Sequence, residues 1–212
     1  MKPRFRWLIV LFLLLTLSSC VVTDASPTVE PETATPTVVS EEPPRVLISE
    51  VLAGVDGNNN YEFIELYNTS ATEPVDLDGW TLWYQLEEGH DQRILQRWTE
   101  HTVIPPHGHY LLGRAGESFE VTVDQRFDTP LATSRGGLLL RKADDEAGDS
   151  LSWGNDPQRY GEEEPAPAMN RGISLERRPG GDQGNAVDTG NNRQDFVLNE
   201  QPQPQGVSSR RT

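Results

Sequence analysis

Cys20 is the residue whose chemistry the surrounding sequence predicts most specifically. It is the one cysteine in the sequence, and Leu17-Ser18-Ser19 precedes it. A thiol can accept a thioether-linked diacylglycerol, and two small residues before it leave the preceding peptide bond open to a peptidase. Upstream lie a basic stretch, Met1–Arg6, and an apolar run from Trp7 to Leu17, in the order of a secretory signal. We therefore predict a signal peptide over residues 1–19, cleavage before Cys20 and lipid attachment to Cys20.

The tetrad that ends in Cys20 resembles the bacterial lipobox. This resemblance implies an exported protein that its lipid holds on the bacterial cell membrane, with the remaining chain extracytoplasmic. An anchor with two or more acyl chains is stable where a single chain is marginal. Val21 carries no aspartate-type signal for retention in the inner membrane. Two alternatives stay open, namely a cleaved signal with an incidental cysteine and an uncleaved signal anchor.

Three histidines supply the next candidates for chemistry. His107 and His109 are two residues apart, so a strand would place both imidazoles on one face. With His101 nearby, they offer nitrogen ligands of the kind that Zn²⁺ and Cu²⁺ accept. Pro105-Pro106 before them indicates an exposed turn, so we treat the three as weak metal candidates and predict no cofactor. The sequence contains no Gly-x-Ser-x-Gly, His-Glu-x-x-His or Gly-rich phosphate motif, and we predict no enzymatic activity.

An acidic and amide-rich turn raises the question of calcium. Asp56, Asn58 and Asn60 stand at alternate positions, as the first ligands of an EF-hand loop do. The glycine that should follow is replaced by Tyr61, and the glutamate expected at the twelfth position is Tyr67. The EF-hand interpretation therefore fails. Plain Asx turns are expected here, and a looser calcium site at the end of a sandwich remains as the alternative.

The part of the chain between residues 45 and 200 has the pattern of short β-strands. Tyr61–Asn68 alternates, with Ile64 and Leu66 on one face and Phe63, Glu65 and Tyr67 on the other. No segment has a convincing helical period. Strands are predicted at 46–53, 61–68, 79–86, 93–98, 109–114, 137–142, 150–153 and 173–177. Strands of this length and spacing, separated by Gly- and Pro-rich turns, predict an all-β, two-sheet sandwich.

The alternation also predicts which side chains face solvent. Ile64 and Leu66 should enter the core, so the opposite side of their strand should be the outer face. We predict a binding surface that comprises Phe63, Glu65, Tyr67 and Trp83. Glu50 is expected on the same face as Ile48 and Leu52, where burial would require a hydrogen-bonding partner.

Both ends of the chain have the composition of disordered segments. Residues 20–44 form a tether rich in Thr, Pro and Glu, without aromatics and without periodicity. Residues 201–212 are rich in Gln, Pro, Ser and Arg, and we predict a disordered tail there. The tether gives reach, because prolines and like charges keep such a segment extended.

The charge balance argues against nucleic acid as a partner. The chain has 18 Lys and Arg against 33 Asp and Glu, which gives a net charge of -15. Nucleic-acid binding normally depends on cations that neutralise phosphates. One exception stays open, namely a contiguous basic patch. That patch would comprise Arg171, Arg177, Arg178 and Arg193.

Two blocks of the sequence resemble the lamin tail domain most specifically. They are Glu62-Phe-Ile-Glu-Leu-Tyr-Asn68 and Val75-Asp-Leu-Asp-Gly-Trp-Thr-Leu82, and weaker likeness extends over residues 45–200. The resemblance implies an immunoglobulin-like β-sandwich that serves as a module and not as a catalyst.

Three hypotheses for function follow. The first is a membrane-anchored lipoprotein that displays the sandwich as a binding or structural module for an envelope protein. The second is a carbohydrate-binding module in which exposed Trp83, Trp98 or Tyr84 stack on sugar rings. The third is a metal-dependent hydrolase, which requires clustered histidines or carboxylates. Oligomeric state is left open, since an exposed edge strand permits pairing.

Overall fold

The described residues fold into a β-structure with one very short α-helix and a 3₁₀ turn at Gly181–Gln183. The computed structural model describes residues 45–86, 92–154 and 163–209, so Cys20, the predicted signal and the tether lie outside the described residues. The strands are β1 Val46–Val55, β2 Asn58–Asn68, β3 Val75–Asp76, β4 Thr81–Gln85, β5 Arg93–Arg97, β6 Val103–Ile104, β7 His109–Arg114, β8 Gln125–Phe127, β9 Arg135–Arg141, β10 Ala147–Gly154, β11 Ser174–Arg177 and β12 Phe196–Asn199. The helix α1 spans Asn192–Asp195.

The strands form two main sheets that pack face to face. A six-stranded sheet has the order β12-β11-β1-β2-β7-β8, and a four-stranded sheet has the order β10-β9-β4-β5. A small third sheet pairs β3 with β6. Ile48, Ile64 and Leu66 of the first sheet pack with Leu82, Leu140 and others of the second in one buried core. The predicted immunoglobulin-like sandwich is therefore confirmed.

A bulge in β1 changes which side chains share a face. Ile48 is paired with Leu66, but the next paired residue of β1 is Glu50, so Ser49 is an extra residue. An extra residue reverses the alternation beyond it. Ile48 and Val51 consequently face the core, whereas Glu50 joins Leu52 on the outer side. The prediction that Glu50 shares a face with Ile48 is wrong for this reason.

The outer face of the six-stranded sheet is covered, which corrects the predicted binding surface. Phe63 is fully buried in a second cluster with Leu52 and Leu111, under the side chains of Phe119 and Val123. Gly113 makes this cover close, since a Cβ there would lie 2.7 Å from the Phe119 ring. Glu65 and Tyr67 are 2% and 4% exposed. The alternation along β2 is as predicted, but both of its faces are interior.

The C-terminal segment supplies part of that cover. Residues 201–209, which we call the strap, were expected to be disordered. Instead, the Gln205 backbone N–H donates to Glu65 Oε2 at 2.6 Å, and the Val207 N–H donates to Asp124 Oδ2 at 3.0 Å. The prediction failed because carboxylates of the sandwich satisfy backbone groups of a segment that has little apolar surface of its own.

A buried arginine joins β11 to the opposite sheet. The Arg177 guanidinium donates to Asp149 Oδ2 at 2.7 Å and to the carbonyls of Ile48 and Val187, each at 2.8 Å. It also lies 4.5 Å from the centroid of the Phe196 ring. Arg177 is fully buried. Because it is interior, it does not contribute to the surface patch considered above.

The edge of the four-stranded sheet at β10 is closed by the side chain of Asn192 together with the backbone of Ala166, which forms a parallel bridge with Trp153. Asn192 Oδ1 accepts from the Ser152 backbone N–H at 2.7 Å, and Asn192 Nδ2 donates to the Ser150 carbonyl at 3.0 Å. The amide thus presents the same donor and acceptor that a neighbouring strand would present. It holds α1 against this edge.

Candidate binding pocket

A polar depression of about 370 Å³ lies where β2 and β7 meet the C-terminal segment. Its first wall contains Tyr67, His107 and His109, its second is the loop Gly181–Gly184, and its third is the strap. We call it the Tyr67 pocket. The pocket brings together Tyr67, which was predicted as part of a binding surface, and His107 and His109, which were considered as metal ligands.

Strand register and a turn position this first wall. Tyr67 of β2 is the partner of His109 of β7, and their ring centroids are 4.8 Å apart. His107 has a positive φ of 49°, in the turn before β7. This conformation directs its imidazole back so that Nδ1 lies 2.7 Å from Tyr67 Oη. Burial raises the pKa of the Tyr67 phenol, so it stays protonated at neutral pH.

A glycine allows the second wall to reach Tyr67. A Cβ at Gly184 would lie 2.5 Å from Tyr67 Oη, and its φ of 78° also favours glycine. The neighbouring Asn185 donates through Nδ2 to the Arg177 carbonyl at 2.7 Å, which fixes the orientation of its amide. Its Oδ1 then faces His109 Nε2 at 3.2 Å. An amide oxygen only accepts, so His109 carries its proton on Nε2.

Carboxyl groups lie beneath the pocket and beside it. Glu65 Oε1 is 3.5 Å from His109 Nε2 and accepts from Ser49 Oγ at 2.8 Å. Burial raises the pKa of Glu65 well above its ordinary value, and the Glu50 carboxyl adds to the effect. Burial lowers the pKa of His109. Both shifts favour the neutral forms of these two groups over their charged forms.

The three histidines considered as metal ligands do not meet. His101 is exposed on the β3–β6 side, where its Nδ1 lies 2.6 Å from Asp76 Oδ2. Within residues 45–86, 92–154 and 163–209 there is no group of three His, Cys, Asp or Glu side chains placed to hold a metal ion. The metal candidate formed by His101, His107 and His109 is therefore wrong as a set.

The predicted aromatic surface is dispersed as well. Trp83 lies on the four-stranded sheet, where its Nε1 donates to Thr81 Oγ1 at 2.8 Å and Arg141 lies over its ring at 6.0 Å. Trp98 and Tyr84 are buried in the core. Among these three rings, only that of Trp83 reaches solvent, and it does so in part. A row of exposed rings that would stack on a sugar chain is not formed by them.

Sequence reasoning missed the second and third walls. Gly184, Asn185 and Gln205 each make a contact that shapes the pocket, as described above. The run Gly180-Gly-Asp-Gln-Gly184 is a signal for an irregular loop. Nothing local in that run indicates that it would lie against Tyr67.

The fold and the pocket define an immunoglobulin-like β-sandwich whose C-terminal segment completes a polar depression. A family model described as Lamin Tail Domain matches residues 40–155, more than half of the chain. The chain therefore belongs to the lamin tail domain family. No curated protein matches the sequence. The match contains Tyr67, His107 and His109, whereas the loop Gly181–Gly184 and the strap follow it.

One further finding concerns the membrane. In the described ranges, the structure has no helix with the length and apolar character needed to cross a bilayer.

Proposed function

We propose that this protein is an exported bacterial lipoprotein, anchored through Cys20, that presents a non-catalytic lamin tail domain as a binding module. The anchor rests on the signal and the Leu17–Cys20 tetrad. The module rests on the family match and the all-β fold. The observation that carries the binding role is the Tyr67 pocket, because several polar groups converge on it.

We propose an envelope protein as the partner. A depression of about 370 Å³ lies at the lower end of the size range of ligand sites, and it has room for a short segment of a partner protein. Exposed His107 stands at its mouth, while Tyr67 is too deeply buried to offer its ring face to a sugar. The carbohydrate alternative is less well supported, because Trp98 and Tyr84 are also interior.

Charge argues for a protein partner over nucleic acid. The net charge is -15. The basic patch left open by the sequence is incomplete, since Arg177 is interior and Arg193 Nε lies 3.7 Å from a Glu164 oxygen. We therefore propose no nucleic-acid partner.

The anchor is tested by fractionation of cells that express Cys20→Ser. We expect the wild-type chain in the membrane fraction with a lipid-labelled N-terminus, and the variant unlabelled and released from the membrane. A variant that keeps its lipid label or its membrane association would contradict the anchor.

Binding at the pocket is tested by photo-crosslinking in the same cells. A benzophenone amino acid replaces His107 in the full chain, and a matched control replaces Asp145, which also lies in an exposed turn with a positive φ. We expect one discrete protein adduct from position 107 and none from position 145. Equal labelling from both positions, or none from either, would refute a protein site at this pocket.

A further inference from the structure

Three glutamates form one row across the outer face of the six-stranded sheet. Glu50 of β1 is the register partner of Glu65 on β2 and of Glu176 on β11. We call these three residues the carboxyl row. Like charges directly opposite each other on neighbouring strands destabilise a sheet. Glu50 and Glu65 are nearly inaccessible to water, at 3% and 2% exposure.

The partners of the two buried members are neutral donors. Glu50 accepts from Ser174 Oγ and, at 3.4 Å, from Asn199 Nδ2. In the described part of the chain, the one basic group within ion-pair distance of Glu65 is His109, which burial keeps neutral. The titratable groups of the described residues that face the row, the strap and the pocket are Glu176, His107, His109, Tyr67, Asp124 and Asp182.

The strap is fastened to carboxyl groups at alternate residues. The backbone N–H of Gln205 donates to Glu65 and that of Val207 to Asp124, and the Gln203 backbone lies beside the Glu50 carboxyl. Residues 205 and 207 therefore both direct their N–H groups toward the sheet. Gly206 allows the close approach, because a Cβ there would lie 2.6 Å from Asp124 Oδ2. The strap therefore crosses the strands and covers Glu50 and Glu65.

We propose that the strap is a pH-sensitive latch, which stays seated over the carboxyl row while Glu50 and Glu65 hold protons and lifts when both ionise. Lifting hydrates the two carboxylates and reduces their mutual repulsion. Because Gln205, Gly206 and Val207 also form a wall of the Tyr67 pocket, the same movement widens that pocket. This consequence for binding rests on the proposed function, whereas the movement itself does not.

The direction of the effect follows from linkage. Burial raises the pKa of Glu50 from 4.5 to about 7, with the Glu176 charge adding to it. Burial under the strap thus favours the proton on Glu50, although the Gln203 and Gln205 backbone contacts with the row favour the ionised forms and partly oppose it. The stabilisation of the seated state by the protonated Glu50 carboxyl is complete below pH 4.5 and is lost as the pH rises through about 7. Through Glu50, a shift of this size changes the seated-to-lifted ratio by on the order of a hundredfold.

Hydrogen exchange of the detergent-solubilised full chain tests the latch without any ligand. We expect the protection of the amides of residues 203–207, corrected for intrinsic exchange, to fall by on the order of a hundredfold from pH 5 to pH 8. Amides of β9, which report global unfolding, should lose protection by a clearly smaller factor. The double variant Glu50→Gln/Glu65→Gln should keep the strap protected at both pH values, because an amide still accepts from a backbone N–H and does not ionise.

Two further variants make the outcome decisive. Glu65→Gln alone serves if the double variant does not fold, and it should reduce the pH dependence, because Glu50 is then the one buried member of the row that still ionises. Glu146→Gln, an exposed site on the β9–β10 turn, should leave it unchanged. The latch is refuted if wild-type protection does not change with pH, if β9 loses protection in parallel, or if the glutamine variants respond as the wild type does. Crosslinking at position 107 is separate from these results, so failure of one proposal is distinguishable from failure of the other.

Discussion

Replacement of Arg177 by methionine should be among the most costly single substitutions in this domain. Methionine retains much of the length of the side chain but removes the ion pair with Asp149 and the hydrogen bonds to two carbonyls. Asp149 would stay fully buried, with the Ile48 N–H at 2.6 Å as a remaining donor. Removal of one partner of a buried ion pair costs about 3–5 kcal/mol of unfolding free energy. For a domain of this size, that lowers the Tm by about 10 °C.

The pH dependence of that cost tests the electrostatic reasoning. Burial raises the pKa of Asp149, and the Arg177 guanidinium opposes the rise. Without Arg177 the carboxyl should take up a proton in the folded state more readily, which lessens the penalty in acid and leaves it large at neutral pH. Urea unfolding at pH 5 and pH 7 measures both values, with exposed Arg178→Met as the control. A cost below about 1 kcal/mol, or equal costs at the two pH values, would refute the reasoning.

Three more predictions concern single sites. Glu62 is buried, which raises its pKa to about 7, so it should contribute roughly 2 kcal/mol to the fall in unfolding free energy from pH 5 to pH 8, and urea unfolding of Glu62→Gln should show that contribution removed. Gly184→Ala should lower the thermal unfolding midpoint more than Gly172→Ala does. Both glycines have a positive φ, but a Cβ at position 184 would clash with Tyr67, whereas open space surrounds Gly172. Gly136→Ala would press a methyl group onto the Trp153 ring. We expect the free energy of unfolding to fall by about 1–3 kcal/mol and the tryptophan emission spectrum to change. An unchanged thermal unfolding midpoint would contradict this packing.

The main strands could be predicted because each has enough residues for an alternating pattern. His109–Arg114 was predicted with its observed bounds, and β2 differs mainly in that its turn is tighter than expected, with Gly57 at a φ of 82°. The two-residue strands β3 and β6 are too short for any periodicity. The three residues of β8 pair in parallel with β7, a relation that local pattern does not encode.

The site was harder to predict, since alternation separates the two sides of a strand without revealing what covers each side. Phe63 and Tyr67 do lie opposite Ile64, yet long-range contacts with Phe119 and the Gly181–Gly184 loop bury them. The bulge at Ser49 has no sequence signal of its own, although it decides the face of Glu50. The polar composition of the strap predicted disorder. Composition alone does not reveal that the carboxyl groups of Glu65 and Asp124 accept hydrogen bonds from the backbone of the strap.

The side chain of Asn192 has a consequence for how copies of this domain associate. An open edge strand invites a second molecule to extend the sheet, and chains crowded on one surface meet often enough to do so. At β10 the amide already occupies the Ser152 donor and the Ser150 acceptor. Growth of the four-stranded sheet is thereby restricted to its opposite edge, β5, where Arg93 and Arg97 bring like charges together when two copies approach edge to edge. Asn192 and the Ala166 backbone on one side, and two arginines on the other, thus oppose extension of the four-stranded sheet by a second copy.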